Sequence, residues 1–160
     1  NGKKEFYQWV ALGGSFTPAE LQAAYLYAQL LEVQKGIAKR EGIWEIYRNE
    51  LSGLRESGYI YFPDIPEPCC PNYSAFVITI EAGGSRDELR EFLNENGVES
   101  YIGYFPLHES LMVKKMGMQF GKMNKTEDIF RKLLRIPLYD AMSKDDAFYV
   151  CSCIKNFFKK

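Results

Sequence analysis

From residue 17 to about residue 58, apolar side chains recur every three or four positions, which predicts helix rather than strand. Thr17 supplies an N-cap, Pro18 suits the first helical position and Glu20 completes a capping box, so the first helix is predicted to begin here. Gly36 interrupts the pattern, and two helices or one bent helix fit it. The predicted apolar face of the first part consists of Leu21, Ala24, Tyr25, Ala28 and Leu31.

Beyond residue 58 the apolar period shortens, and strands alternate with helices. Tyr59–Phe62 and Ser74–Ile80 read as strands separated by a connector that contains four prolines. Ser85 and Glu88 form a second capping box, which opens a helix that stops at Gly97. The next strand is predicted over Val98–Tyr104.

The remaining third of the chain begins with a segment rich in methionine, glycine and lysine, Met112–Lys125, which predicts a mobile loop. Helical signals return over Thr126–Leu134, and a short extended stretch follows at residues 135–138. Ser143 caps a final helix that runs to the end of the chain.

This order of elements predicts an α+β fold, with a small mixed or antiparallel sheet covered by helices. We expect two parts: residues 1–58 form an N-terminal segment and long helical arm, and residues 59–160 form a small α+β domain. The arm is too long for so small a sheet, so it is predicted to pack on another domain or subunit.

The formal net charge of −1 and a pI near 6.0 argue against nucleic acid or an anionic membrane as the main partner. No apolar run has the length of a membrane span and no signal peptide is apparent, so we expect a cytoplasmic protein. The cysteines occur as Cys69–Cys70 and as Cys151 and Cys153, a spacing that favours reduced thiols. With a single histidine in the chain, no metal site is predicted.

Two features carry candidate chemistry. The Gly13–Gly14–Ser15 turn precedes a helix, where backbone N–H groups and a hydroxyl favour an anion, although such a turn also starts many ordinary helices. His108 is either an acid or base, or a hydrogen-bonded structural group. Acid pairs in first helical turns are assigned to the helix dipole: Asp87–Glu88, Glu127–Asp128 and Asp145–Asp146. The methionines of the loop form either a binding surface or gap-filling contacts.

Three segments carry a resemblance to a known family. Residues 7–30, "YQWVALGGSFTPAELQAAYLYAQL", resemble the "Y-x-W-V-x-x-G-S-S-Y-x-P-S-E" segment of the DegT/StrS sugar-nucleotide aminotransferases. Residues 101–110, "YIGYFPLHES", are similar to that family's "H-Y-x-P-L-H" stretch, and residues 126–146 are similar to its "L-L-R-L-P-L" segment. The subgroup most similar is that of the dTDP-4-amino-4,6-dideoxygalactose transaminases.

The resemblance implies the small C-terminal domain of a fold-type I, pyridoxal-phosphate enzyme. Such enzymes are homodimers that transfer an amino group from an amino acid, typically glutamate, to a keto-deoxysugar nucleotide for surface polysaccharide or related sugar biosynthesis. The lysine that forms the Schiff base with the cofactor is expected upstream of this chain. None of the lysines in this chain precedes the "G-E-G-G" turn that follows this lysine in the family, so the resemblance implies a C-terminal part that is inactive alone and binds no cofactor by itself. The absence of an initiator methionine before Asn1 agrees with that expectation.

The resemblance also implies roles for individual residues. Ser15 matches a position that contacts the cofactor phosphate of the neighbouring subunit, and Tyr104 and His108 match substrate-side positions. Two positions depart from the family pattern, because Gly103 and Ser74 stand where the family has histidines. Two alternatives stay open: a non-catalytic interaction module derived from this fold, and a family keto-sugar dehydratase.

Overall fold

The computed structural model describes residues 16–159. These residues contain seven α-helices, one 3-10 helix and four β-strands. The helices are α1 (Glu20–Leu31), α2 (Val33–Glu50), α3 (Ser52–Glu56), α4 (Arg86–Glu95), α5 (Leu111–Lys115), α6 (Asn124–Lys132) and α7 (Lys144–Phe157). The strands are β1 (Ile60–Tyr61), β2 (Phe76–Ile80), β3 (Tyr101–Ile102) and β4 (Leu133–Ile136), and the 3-10 helix is Leu107–Glu109. The chain separates into two units, one up to Gln34 and one from Lys35 onward.

In the first unit, helix α1 begins later than the sequence predicts. Its N-cap is Ala19, in an extended conformation, rather than Thr17. Alanine offers no side-chain acceptor, but the Gln22 side chain accepts a hydrogen bond from the Ala19 N–H at 3.1 Å. The reciprocal half of a capping box is therefore made by Gln22, two residues beyond the predicted Glu20, because the extended backbone persists through Ala19.

Helix α1 buries none of its side chains. Leu21 is 83% exposed, and large apolar residues are exposed around the whole helix rather than along one stripe. The exposed large apolar residues of α1 are Leu21, Tyr25, Leu26, Tyr27, Leu30 and Leu31. A helix that is apolar all round is normally buried, so α1 has the composition of a helix that packs against other protein.

The second unit is built on a four-stranded antiparallel sheet with strand order β1-β2-β4-β3. Phe76 pairs with Ile136 and Ile78 with Leu134, so these side chains share one face of the sheet. All four are buried, whereas the intervening Val77 and Arg135 are only half-buried on the other face. This alternation confirms the predicted α+β class and places the core on one side of the sheet.

An aromatic cluster centred on Phe76 joins helix α2 to that buried face. The ring centroids of Trp44, Tyr47 and Phe62 lie 5.2–5.3 Å from that of Phe76, in tilted or edge-on arrangements. Such pairs contribute about 0.5–1.5 kcal/mol each beyond the area that they bury. Residues from the later half of the predicted helical arm thus belong to the core of the second unit. The predicted domain boundary after residue 58 stays a prediction.

Two of the predicted helix starts are confirmed with their caps. Ser85 Oγ accepts from the Glu88 N–H, and the Glu88 carboxylate accepts from the Ser85 N–H. Ser143 and Asp146 make the same reciprocal pair at the start of α7. Because these caps need only local residues, they are the part of the fold most directly readable from sequence.

The prediction of a loop over Met112–Lys125 is wrong at both of its ends. Helix α5 begins at Leu111, where Ser110 Oγ accepts from the Val113 N–H, and α6 begins at Asn124. Residues 116–123 between these helices are non-helical, as predicted. The first three strands are shorter than predicted. Strand β4 begins at Leu133, so the predicted helix over Thr126–Leu134 ends two residues earlier than expected. None of the helices in the described residues is long and apolar enough to cross a membrane.

Candidate functional site

Of the three residues to which the sequence assigns a site role, the structure describes Tyr104 and His108. Ser15 and the glycines before it lie outside the described residues. Tyr104 and His108 lie in the segment between β3 and α5, four residues apart and in different environments. They are therefore treated separately.

His108 is held by a carboxylate from another element. Its Nε2 lies 3.3 Å from Glu127 Oε1, and the two side chains are 11% and 25% exposed. Glu127 stands in the first turn of α6, so the pair links the 3-10 helix to α6. His108 is therefore hydrogen-bonded to Glu127, a partner that the helix-dipole interpretation of Glu127 did not predict. A substrate-side role for His108 stays a prediction.

A ring contact supports the same link. The centroids of Phe105 and Phe130 lie 5.5 Å apart in an edge-on arrangement. The Arg86 guanidinium lies 5.6 Å from the Phe130 ring and donates from Nη1 to the Phe130 carbonyl at 2.9 Å. Residues 105–108 are thus fixed to α6, and α6 is fixed to the start of α4.

Tyr104 is 91% exposed and makes no hydrogen bond or ring contact with the described residues. Its phenol is free to meet a group supplied from outside this part of the chain. A substrate-side role for Tyr104 is compatible with this placement and stays a prediction.

The methionines between residues 112 and 123 are on the surface. Met112, Met116, Met118 and Met123 are all exposed, together with Phe120. Their exposure excludes one of the two roles that the sequence left open for these methionines, which is to fill gaps in the core of the second unit. These residues form an apolar surface.

One cluster of donors offers a metal-type arrangement. His108, Glu109 and Glu127 each present a ligand atom, and these atoms lie within 4.8 Å of one another. Arg131 Nη2 lies 3.7 Å from Glu127 Oε2 and competes for the same carboxylate. We assign the cluster to the link between the 3-10 helix and α6 rather than to a metal.

A cleft of about 520 Å³ opens at the end of the sheet, between the Ser74 side of β2, the residues that follow β4 and the first half of α7. Its lining combines one cation, two carboxylates and three phenols: Arg135, Glu99, Asp146, Tyr101, Tyr139 and Tyr149. Glu99 accepts a hydrogen bond from the Tyr101 hydroxyl at 2.8 Å. No local sequence pattern indicated this cleft, because its lining comes from four separate segments.

The two positions that depart from the family pattern lie in different surroundings. Ser74 lines the cleft. A Cβ on Gly103 would lie 3.0 Å from Leu133 Cδ2, the tip of a flexible side chain that need shift only slightly. Since Gly103 does not adopt a positive φ, the fold does not demand glycine there. The fold therefore has room for a side chain at position 103.

The described residues do not by themselves fit a pyridoxal phosphate site. A lysine that reacts with an aldehyde needs a lowered pKa, which comes from burial or from a cationic neighbour. Hydrogen bonds to Glu81 and Asp128 instead raise the pKa of Lys132. Lys155 is paired with Glu50, and the other described lysines are exposed.

The family model described as the DegT/DnrJ/EryC1/StrS aminotransferase family matches residues 1–155. GDP-perosamine synthase of Vibrio cholerae is 28% identical over 98% of this chain and 41% of its own length. The dTDP-4-amino-4,6-dideoxy-D-glucose transaminase of Escherichia coli is 30% identical over 79% of this chain and 34% of its own length.

Among solved structures, S. venezuelae DesV, in complex with a ketimine intermediate, superposes with a TM-score of 0.86. It is 23% identical, over 99% of this chain and 42% of that chain, which establishes the shared fold. The chain thus spans about two fifths of the length of the relatives that it matches. Sequence and fold agree: the chain belongs to the DegT/DnrJ/EryC1/StrS aminotransferase family.

Proposed function

We propose that this chain is the C-terminal part of a pyridoxal-phosphate-dependent aminotransferase that moves an amino group from an amino acid, with glutamate as donor, to a keto-deoxysugar nucleotide. The family match over residues 1–155 carries the proposal. A structural relative was solved with a ketimine, which joins an amine nitrogen to a former ketone carbon.

The acceptor is proposed only as a class. The sequence analysis expects a dTDP-4-amino-4,6-dideoxygalactose transaminase, whereas a relative with 30% identity is named for the dideoxyglucose sugar, so a galactose-specific acceptor is not supported. Both names describe 4-amino-4,6-dideoxy sugars, so the proposal covers 4-keto-6-deoxyhexose nucleotides of either configuration.

Within the proposed enzyme, this chain contributes positioning and packing rather than the cofactor lysine. Ser15 is proposed to donate a hydrogen bond to the cofactor phosphate of the second subunit of a homodimer. Tyr104, exposed beyond β3, is proposed to face the substrate. Helix α1, which buries none of its side chains, is proposed to pack on the large domain that carries the cofactor.

The test begins with the coding sequence upstream of Asn1, which we expect to encode a lysine followed by a "G-E-G-G" turn. The encoded full-length protein, supplied with pyridoxal phosphate, glutamate and a 4-keto-6-deoxyhexose nucleotide, should form an amino-sugar nucleotide detectable by mass spectrometry. The 160-residue chain under the same conditions should form none. A borohydride-stable cofactor adduct on a lysine of the 160-residue chain would contradict this division of roles.

A second function, a non-catalytic interaction module, is favoured by one observation. Glycine at position 103 replaces a family histidine although the backbone does not require glycine. A start codon directly before Asn1 and no amino transfer with any of the nucleotides would support the module over the enzyme.

A further inference from the structure

The connector between β1 and β2 presents two adjacent thiols to solvent. Cys69 and Cys70 are both exposed, whereas Cys151 and Cys153 are buried in α7. Burial raises the pKa of the Cys151 thiol to about 12, which disfavours its reactive thiolate. Among the described residues, the solvent-accessible thiols are therefore those of Cys69 and Cys70 in this connector.

Covalent geometry disfavours a disulfide within this pair. The peptide between Cys69 and Cys70 is trans, so their Cα atoms lie about 3.8 Å apart. Ordinary disulfides span Cα separations of about 4.4–6.8 Å, and shorter spans make the bond strained and easily reduced. We therefore expect Cys69 and Cys70 to remain two free thiols, as they are in the structure.

The segment that carries the thiols is fixed at both of its ends. Near β1, Arg55 holds Asp64 through two hydrogen bonds of 2.8 and 2.6 Å. Near β2, the Tyr73 hydroxyl donates to Glu41 at 2.8 Å, and Arg40 Nε donates to the Asn72 carbonyl at 3.1 Å.

Between these anchors, the backbone next to the thiols is restricted as well. The Cys69 N–H donates to the Pro66 carbonyl at 2.7 Å and closes a turn. Pro68 precedes the pair and Pro71 follows it, and proline restricts its own φ and the conformation of the residue before it. The two sulfur ligands are therefore held on a backbone that loses little freedom when they bind a common centre.

We propose that Cys69 and Cys70 form a chelating dithiol site for thiophilic centres that take two sulfur ligands, such as trivalent arsenic compounds and soft metal ions. Thiolates are the soft ligands of proteins and select such centres over Mg²⁺ or Ca²⁺. With an organoarsenic oxide, two S–H groups and one As=O group give two As–S bonds and one water. No oxidant or reductant takes part, and the site is independent of the aminotransferase proposal.

The test uses phenylarsine oxide and the reduced 160-residue chain, with adducts counted by intact-protein mass spectrometry. One adduct per chain is expected, and it should be removed by a small dithiol but not by the same concentration of a monothiol. Cys69→Ser and Cys70→Ser should each weaken binding on the order of 100-fold, because loss of one ligand removes the gain from chelation. Cys153→Ser is the control and should bind like the unaltered chain.

Equal affinity in either single variant would overturn the proposal, and so would loss of binding in Cys153→Ser alone. Circular dichroism establishes that each variant is folded. As a second measurement, brief iodoacetamide treatment of the native chain should alkylate Cys69 and Cys70 only and abolish arsenical binding. Peptide mapping establishes which cysteines are alkylated. If the chain alkylated at Cys69 and Cys70 still binds the arsenical, the proposed site is wrong.

Discussion

At the scale of single residues, the hydroxyl of Tyr47 shows how one polar atom is accommodated in an apolar core. Tyr47 is fully buried, and its hydroxyl donates to the Pro137 carbonyl at 2.7 Å. Burial is the main cause of the strongly raised pKa of Tyr47, so the phenol stays protonated and remains a donor. This bond connects α2 to the segment after β4, and no sequence pattern indicated it.

We predict that Tyr47→Phe lowers the free energy of unfolding by about 1–2 kcal/mol, because the Pro137 carbonyl loses its donor. The measurement is urea denaturation followed by circular dichroism. Tyr149→Phe is the matched control: its hydroxyl donates to the Asn96 carbonyl at 3.0 Å from an exposed position, so the loss should stay below about 0.5 kcal/mol. Equal losses of unfolding free energy in both variants would show that the buried hydrogen bond contributes no more to stability than the exposed one.

A second residue-scale prediction concerns Ser15 in the proposed full-length enzyme. Ser15→Ala removes one hydroxyl donor to a charged phosphate, a bond that contributes about 1.5–3 kcal/mol. The dissociation constant for pyridoxal phosphate should therefore rise by roughly tenfold to a hundredfold, measured by cofactor titration. Ser152→Ala, which alters an exposed hydroxyl bonded to the carbonyl of Phe148, should leave that constant unchanged. An unaltered constant in Ser15→Ala would remove Ser15 from the phosphate site.

At the scale of elements, the start of α7 depends on a charge. The Ser143 hydroxyl and N–H both donate to the Asp146 carboxylate, at 2.7 and 3.1 Å. The side-chain bond to Ser143 is the main cause of the lowered pKa of Asp146 in the folded protein. A lowered folded pKa contributes stability above the unfolded value of 3.8, and that stability is lost as the pH falls through the folded value.

We therefore predict that the stability difference between the unaltered chain and Asp146→Asn is largest near neutral pH and shrinks below about pH 4. Urea denaturation at several pH values measures it. Asp145→Asn, which removes a neighbouring acid that makes no side-chain hydrogen bond with the described residues, is the control for the helix dipole. A pH-independent difference for Asp146→Asn would contradict the assignment.

At the scale of the whole molecule, two surfaces are apolar and exposed: helix α1, and the segment around the methionines from residue 112 to residue 123. Large exposed apolar patches mark interaction surfaces. Without the domain on which α1 is expected to pack, we expect the isolated chain to self-associate through the face of α1 that carries Leu21, Ala24, Ala28 and Leu31. All four are exposed in the structure.

We predict that Leu21→Glu combined with Leu31→Glu converts an associating chain to a monomer, because two charges would have to be buried in the contact. Sedimentation velocity over a range of concentrations measures this. Leu107→Glu, at an equally exposed site on the 3-10 helix, should leave association unchanged. A monomeric unaltered chain at high concentration would contradict the prediction, and dissociation by Leu107→Glu alone would place the contact at the 3-10 helix rather than on α1.

The sequence was sufficient for features that depend on neighbours within a few positions: the caps at Ser85 and Ser143, the helical period of α2 and the alternation in β2. It was also sufficient for the family, through three short segments that the family match supports. It failed at the start of α1, where Ala19 rather than Thr17 is the N-cap, and it missed the Ser110 cap that opens α5.

Tertiary structure alone decided which distant groups meet. The pairing of His108 with Glu127, the ring cluster on Phe76 and the cleft beside Ser74 join segments far apart along the chain, and a local pattern carries no information on such distances. The adjacent cysteines were visible in the sequence from the start. Their significance came from burial, because only the folded chain shows that one pair of thiols is enclosed in α7 while the other is held out in solvent.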